Sequence, residues 1–347
     1  MPTPTAPILA PYTSPPPAQT LTLITSVLSA TSNWLILRFL CDALSQVEAQ
    51  TEEGLSGLGG RRGGVGRRKR RVVLVSFLRG WEFWRIEARR IGLDLARLAN
   101  EKNFAFVDGL SELFSHDFAN ATTTTSSTLQ TPGAGQYPQR HTGPLPIRSP
   151  VVGQSNRGEN SGWKKLRWSK HGGLDAIESD IVSVIDDLNG GSQEGAATDN
   201  DALLVIDQPD LLLAATGPSM GIGATEISEM IMGLRQRVHA TIVTLASDSP
   251  LVHNAFSTIQ HPTPLETEHA GLVVGLAHQS RMVLQLRELD TGVAKDVSGV
   301  LRASKGGQWD AELETKRDGD DHAKWDEREV LYFVQGDGAV RVFERGE

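Results

Sequence analysis

The residues of this chain that could do chemistry fall at three places. The first is the turn after the first apolar run, Ser26-Val27-Leu28-Ser29-Ala30-Thr31-Ser32-Asn33-Trp34. In an α/β chain a ligand is held where a strand ends and a helix begins. A triphosphate there demands glycines, so that backbone N–H groups can approach the phosphates, and a Lys followed by Ser or Thr for charge and Mg²⁺. Positions Leu28, Ser29, Ala30, Thr31, Ser32 and Asn33 supply neither glycine nor lysine. Branched and bulky side chains fill the space a triphosphate would take. The turn reads as a degenerate phosphate loop, with Thr31, Ser32 or Asn33 an ordinary helix N-cap, and no cofactor is expected.

The second place is Asp207, at the end of the apolar run Leu203-Leu204-Val205-Ile206. It has the form of a Walker B-like carboxylate, which holds the Mg²⁺ coordination shell at a strand tip. The alternative is that Asp207-Gln208-Pro209-Asp210 is a polar turn closing a buried strand. Without a phosphate loop Asp207 has no nucleotide to serve, so a relic or turn role is expected. Gly221-Ile222-Gly223 follows Pro218-Ser219 and not a strand, so it reads as a flexible loop and not a dinucleotide fingerprint. Among the histidines, His239, His253, His261, His269 and His278 show no His-Glu-x-x-His spacing, no Ser sits in a Gly-x-Ser-x-Gly elbow, and no metal site is expected. Surface or cap roles are expected for these histidines.

The third place is a pair of cation clusters. Arg61, Arg62, Arg67, Arg68, Lys69, Arg70 and Arg71 form the densest run, and each could neutralise a phosphate. A nuclear-import signal and a solvated loop are the competing explanations. In Trp163-Lys164-Lys165-Leu166-Arg167-Trp168-Ser169-Lys170 two indoles interleave with four cations. That composition suits base stacking beside phosphates, and equally a short amphipathic piece docked on the protein's own surface or on a partner.

Alternating strand-like and helix-like units must position these residues. Leu21–Val27, Val72–Phe77, Phe104–Val107, Leu203–Asp207 and Thr241–Leu245 read as strands, the fourth central because it is apolar without alternation. Helices are expected from Trp34 to Leu44, Glu82 to Ile91, Leu174 to Leu188, Thr225 to Val238 and, shorter, Leu272 to His278. Met282–Leu286 with Val297–Arg302, and Leu331–Val334 with Val340–Phe343 around Gly336-Asp337-Gly338, read as hairpins. The sum is an α/β fold: a mostly parallel sheet wound by helices and closed at its C-terminal edge by antiparallel strands.

Composition bounds the rest. The 347 residues carry 34 Lys+Arg against 42 Asp+Glu, a net charge of −8, which argues against a surface that is basic throughout but leaves room for a local basic patch. The single Cys41 excludes an internal disulfide, fits a reducing compartment and suits helix packing. No run reaches the length of a membrane span, so a soluble intracellular protein is expected. The Pro-rich residues 1–17 and insertions at about 52–70 and 119–162 are expected to lack fixed structure, since they bury too little apolar surface to offset ordering.

The run Val72-Val73-Leu74-Val75-Ser76-Phe77-Leu78-Arg79-Gly80-Trp81-Glu82-Phe83-Trp84, then Ile91–Leu95 and Phe104–Leu110, resembles the family of the sixth subunit of the Elongator complex (Elongator complex protein 6), in its fungal form. Gly275–Ser280, Leu289–Gly292, Lys295–Gly299 and the closing strands near Tyr332 and Phe343 agree with it in order. The resemblance implies one RecA-like domain over residues 18–345 that lacks the ATPase motifs. It further implies a hetero-hexameric ring with the fourth and fifth subunits, two copies of each, alongside the remaining Elongator subunits. Such a ring binds tRNA and releases it in an ATP-dependent way, while another subunit performs the chemistry that modifies the wobble uridine at C5. The chain would then be a non-catalytic component, cytoplasmic and nuclear, with no membrane partner. Its RNA contacts would be sought at Arg67, Arg68, Lys69, Arg70, Arg71, Lys164, Lys165, Arg167 and Lys170. The rivals are a divergent recombinase-type ATPase that uses Asp207, and a scaffold that never touches RNA.

Overall fold

The computed structural model describes residues 6–44, 70–114, 163–169, 172–190, 202–217, 220–256, 261–292, 294–310 and 325–344. Both expected insertions lie outside these residues, Arg70 excepted. The described strands are β1 (Leu21–Ser26), β2 (Arg71–Ser76), β3 (Phe104–Asp108), β4 (Trp163–Lys165), β5 (Ala202–Asp207), β6 (Ala240–Ala246), β7 (Met282–Arg287), β8 (Gly299–Lys305), β9 (Arg328–Val334) and β10 (Val340–Glu344). They form one sheet in the order β10-β9-β8-β7-β1-β6-β5-β2-β3-β4. From β7 to β4 every pairing is parallel, and β8, β9 and β10 add antiparallel strands.

Two cores cover the sheet because the strand period of two sends alternate residues to opposite faces. Val72 and Leu74, with Leu203 and Val205, enter one core; Val73 and Val75, with Leu204 and Ile206, enter the other. The first core is roofed by α1 (Ala10–Thr13), α2 (Asn33–Leu44), α3 (Trp81–Arg90) and α4 (Leu95–Asn100). Covering the second are α5 (Gly173–Asn189), α6 (Leu211–Thr216), α7 (Ala224–Arg235) and α9 (Pro264–Gln279), with the short α8 (Ser249–His253) packed on α9. Parallel strands covered on both faces read as continuous apolar runs, which is why β5 is buried from end to end.

Three expectations change. The Pro-rich start is not an unstructured tail: it carries α1 and buries Leu9 and Tyr12. The reason lies in α2, which is apolar on nearly every side and therefore needs cover beyond the sheet. The strap supplies it, with the Thr13 hydroxyl donating to Asp42 at 2.5 Å and the Tyr12 hydroxyl to the Asp326 carbonyl at 2.8 Å. The last helix is longer than its apolar stripe, because Thr263 and Glu266 form a reciprocal capping box that starts it at Pro264. Gly221-Ile222-Gly223 is not a free loop either: Ile222 is buried in the second core, and Gly223 N–H donates to Glu226 at 2.8 Å to cap α7. Cys41 packs in the first core as expected.

Candidate functional site: the crevice at the carboxyl ends of the strands

In an open parallel sheet a ligand site lies outside the carboxyl ends of the strands. Here those ends bring together the turn after β1, Ser76 on β2, Asp207 on β5 and Thr244 on β6. Parallel register sets Ser76 and Thr244 on either side of Asp207. The Ser76 hydroxyl donates to Asp207 Oδ2 at 2.8 Å and the Thr244 hydroxyl to Oδ1 at 3.0 Å. Arg79, just beyond β2, places Nη1 3.5 Å from Oδ2 while its guanidinium lies 5.2 Å from the Phe83 ring centroid.

Asp207 is 0% exposed. Burial raises its proton affinity above the ordinary carboxylate value; the Arg79 charge and the two hydroxyls pull the other way, and nearby Asp210 adds to the rise. Both carboxylate oxygens are already answered by protein donors. A second buried carboxylate, Asp210, accepts from the Ala246 N–H at 3.2 Å and meets His269 Nε2 at 3.1 Å. His269 is therefore a core residue of α9, not the surface or cap residue expected, because its ring faces inward against Asp210.

The turn after β1 closes on itself. Ala30 N–H donates to the Val27 carbonyl at 2.9 Å, and Ser32, just ahead of α2, accepts the Ile36 N–H at 3.0 Å. Leu28 stands 86% exposed, and its N–H, the kind of group a phosphate loop turns toward its ligand, donates to Asp248 Oδ1 at 3.0 Å. An anionic side chain thus sits where an anionic ligand would bind. A unit charge brought within 4 Å of that carboxylate meets about 4 kcal/mol of repulsion in a partly solvated site. Beside the turn lies a cavity of about 250 Å³ lined by Ser29, Thr31, Asn33, Trp34, Glu87 and Tyr332 among others. Its lining holds one carboxylate and no cation, and burial pushes the Tyr332 hydroxyl up to about 12. The residues of the crevice do not fit a Mg²⁺–triphosphate: no lysine, no open N–H cradle, and a carboxylate already enclosed. Among the described residues no cluster of His, Cys, Asp or Glu is placed to hold a metal.

The candidate RNA residues separate. Arg67, Arg68, Lys69 and Lys170 lie outside the described residues. Arg70 donates to the Pro16 carbonyl at 2.9 Å, tying the strap to β2, and Arg71 opens β2 opposite Ala202. Lys164 pairs with Asp180 at 2.8 Å, and Glu112 takes both Lys165 at 2.5 Å and Arg167 at 2.7 Å. Those two bonds hold the Glu112 carboxyl below the usual range. Leu166 is buried in the second core, and Trp168 packs against Phe114. Of the two readings open for this stretch, the geometry matches docking on the protein's own surface, as edge strand β4. Asp248, Arg79 and the Asp210–His269 pair were not singled out by sequence. The pairing of Ser76 and Thr244 with Asp207 follows only once the strand order is known.

The mostly parallel sheet, helices on both faces and antiparallel C-terminal edge define the fold class as an open α/β sheet covered on both sides. No family model matches the chain, and no curated protein matches its sequence. Among solved structures, a KaiC-like protein from the hyperthermophilic archaeon Pyrococcus horikoshii is similar, with a TM-score of 0.42 and 14% identity over 94% of this chain and 91% of that one. Among the described residues no helix is long and apolar enough to cross a membrane.

Proposed function

We propose that this chain is a non-catalytic, RecA-like ring subunit that acts as the sixth Elongator subunit, joining the fourth and fifth subunits to bind and release tRNA for wobble uridine modification in the cytoplasm and nucleus. The observation that carries the non-catalytic part is that the ligand-facing groups of the crevice are already bonded within the chain. The Leu28 N–H is answered by Asp248, and Asp207 is enclosed by Ser76, Thr244 and Arg79. A nucleotide-driven enzyme needs both groups open to its ligand, so the same observation disfavours the recombinase-type ATPase. The ring and tRNA parts rest on the sequence resemblance. A scaffold without RNA contact draws support from one further fact: Lys164, Lys165 and Arg167 spend their charge on Asp180 and Glu112. Co-expression of the full chain with the fourth and fifth subunits, followed by mass measurement of the intact assembly, tests the proposal. Two copies of each subunit are expected; recovery of this chain alone would overturn it.

A further inference from the structure

The second core ends at β7. Val283 packs at its margin, and no described residue of β8, β9 or β10 joins it. The first core takes Leu301, Ala303, Val330 and Tyr332, with Val334, Val340 and Val342 packed against it. By the strand period the intervening residues point to the opposite face. That face carries Arg302 on β8, Leu331 and Phe333 on β9, and Arg341 and Phe343 on β10, with no described helix over it.

Two features make this face unlike an ordinary solvated sheet. Phe333 and Phe343 are only half-buried, and Arg341 lies directly opposite Phe333, so Phe343 is its diagonal neighbour. Such diagonals lie about 7–8 Å apart, room for two bases side by side. Arg302 and Arg341 are exposed and have no ion-pair partner among the described residues. The one carboxylate on the face, Glu329, is taken by Arg287 at 3.0 Å. Arg287 also pairs with Asp290 at 2.7 Å and adds no surplus charge, so Arg302 and Arg341 are the exposed cations of this face, on a chain whose net charge is −8.

We propose that the face of β8–β10 over which no described helix lies binds a single-stranded stretch of RNA, with Phe333 and Phe343 stacking bases and Arg302 and Arg341 contacting the flanking phosphates. Stacking platforms with flanking cations suit single strands, whose bases are free to leave their neighbours. Duplexes offer no such faces. The choice of RNA rests on the tRNA-handling reading above, while the platform rests on the sheet alone.

The test is fluorescence anisotropy of the full isolated chain with a labelled, unstructured 12-nucleotide RNA, the same DNA sequence, and an RNA duplex, at 50 and 150 mM salt. Saturable single-strand binding at 50 mM salt, weaker for the duplex, is expected. Phe343→Ala should weaken it by about fivefold or more, since one base stack is worth about 1–3 kcal/mol. Arg302→Gln with Arg341→Gln, both exposed and so safe for folding, should lower the salt slope by about 1.4. No saturable binding, unchanged binding by the arginine pair, or equal duplex binding would overturn the proposal. So would a wild-type dimer dissolved by Phe343→Ala, which would make the face a protein interface. Tighter binding of DNA than RNA would overturn the choice of RNA. Because no partner subunit is present, failure of the ring assembly leaves this outcome untouched, and the reverse holds.

Discussion

Replacing Asp207 with Asn distinguishes an enclosed carboxylate from a working metal ligand. In the folded chain burial makes Asp207 hold its proton to higher pH than it does unfolded. Between the ordinary carboxylate value and the raised one the folded state binds more protons, so stability falls as pH rises through that window, by at most about 1.4 kcal/mol per pH unit. Asp207→Asn has no such proton. Wild type should therefore gain stability on the variant as pH is lowered through the window, and the difference should level off above it. Arg79→Met removes the counter-charge 3.5 Å away. At neutral pH it should cost about 3 kcal/mol, the lower end for breaking a buried pair because Arg79 keeps some contact with water, or about 5–10 °C in melting temperature. In the Asp207→Asn background the same change should cost less than about 1 kcal/mol. Thermal and urea unfolding of the four proteins from pH 4.5 to 8 reads all of this. Parallel pH curves for wild type and Asp207→Asn, or an equal cost of Arg79→Met in both backgrounds, would refute the reasoning.

Other outcomes follow from the same geometry. Leu9→Ala should destabilise by about 2–4 kcal/mol, since Leu9 is buried against α2; an unchanged urea midpoint would show that the strap does not dock. Cys41, with its thiol pushed up to about 12 by burial, should resist iodoacetamide at pH 8 until the chain unfolds, and rapid alkylation of the native protein would contradict its placement. Thr263→Ala should cost about 1 kcal/mol through loss of the α9 cap, measured by thermal melting, with Thr263→Ser restoring most of it.

Most of the sheet was legible because strands covered on both faces announce themselves: Leu203–Ile206 and Val72–Val75 are apolar without alternation, and no helix pattern fits runs so short. The turn's lack of lysine and glycine is a plain fact of sequence, but its side chains do not fill the space as expected: Leu28 stands 86% exposed, and Asp248 takes its N–H instead. Less was visible where a short segment depends on a distant one. Counting prolines in residues 1–17 hid Ile8, Leu9 and Tyr12, whose burial is set by α2. The eight residues that extend α9 at its start carry few apolar side chains, though Thr263-Pro264-Leu265-Glu266 is a capping signal that could have been read. Asp248 could not be found, because nothing local links it to Leu28, 220 positions away. Sequence left the Trp163–Lys170 stretch open between base stacking and self-docking because Asp180 and Glu112, which pair with Lys164, Lys165 and Arg167, come from elsewhere in the chain.

The central claim is that the crevice at the carboxyl ends of β1, β5 and β6 holds no nucleotide. Calorimetric titration of the folded chain with Mg²⁺–ATP tests it most directly. No saturable heat is expected up to millimolar nucleotide, for wild type and Asp207→Asn alike. Micromolar binding that Asp207→Asn abolishes would contradict the account.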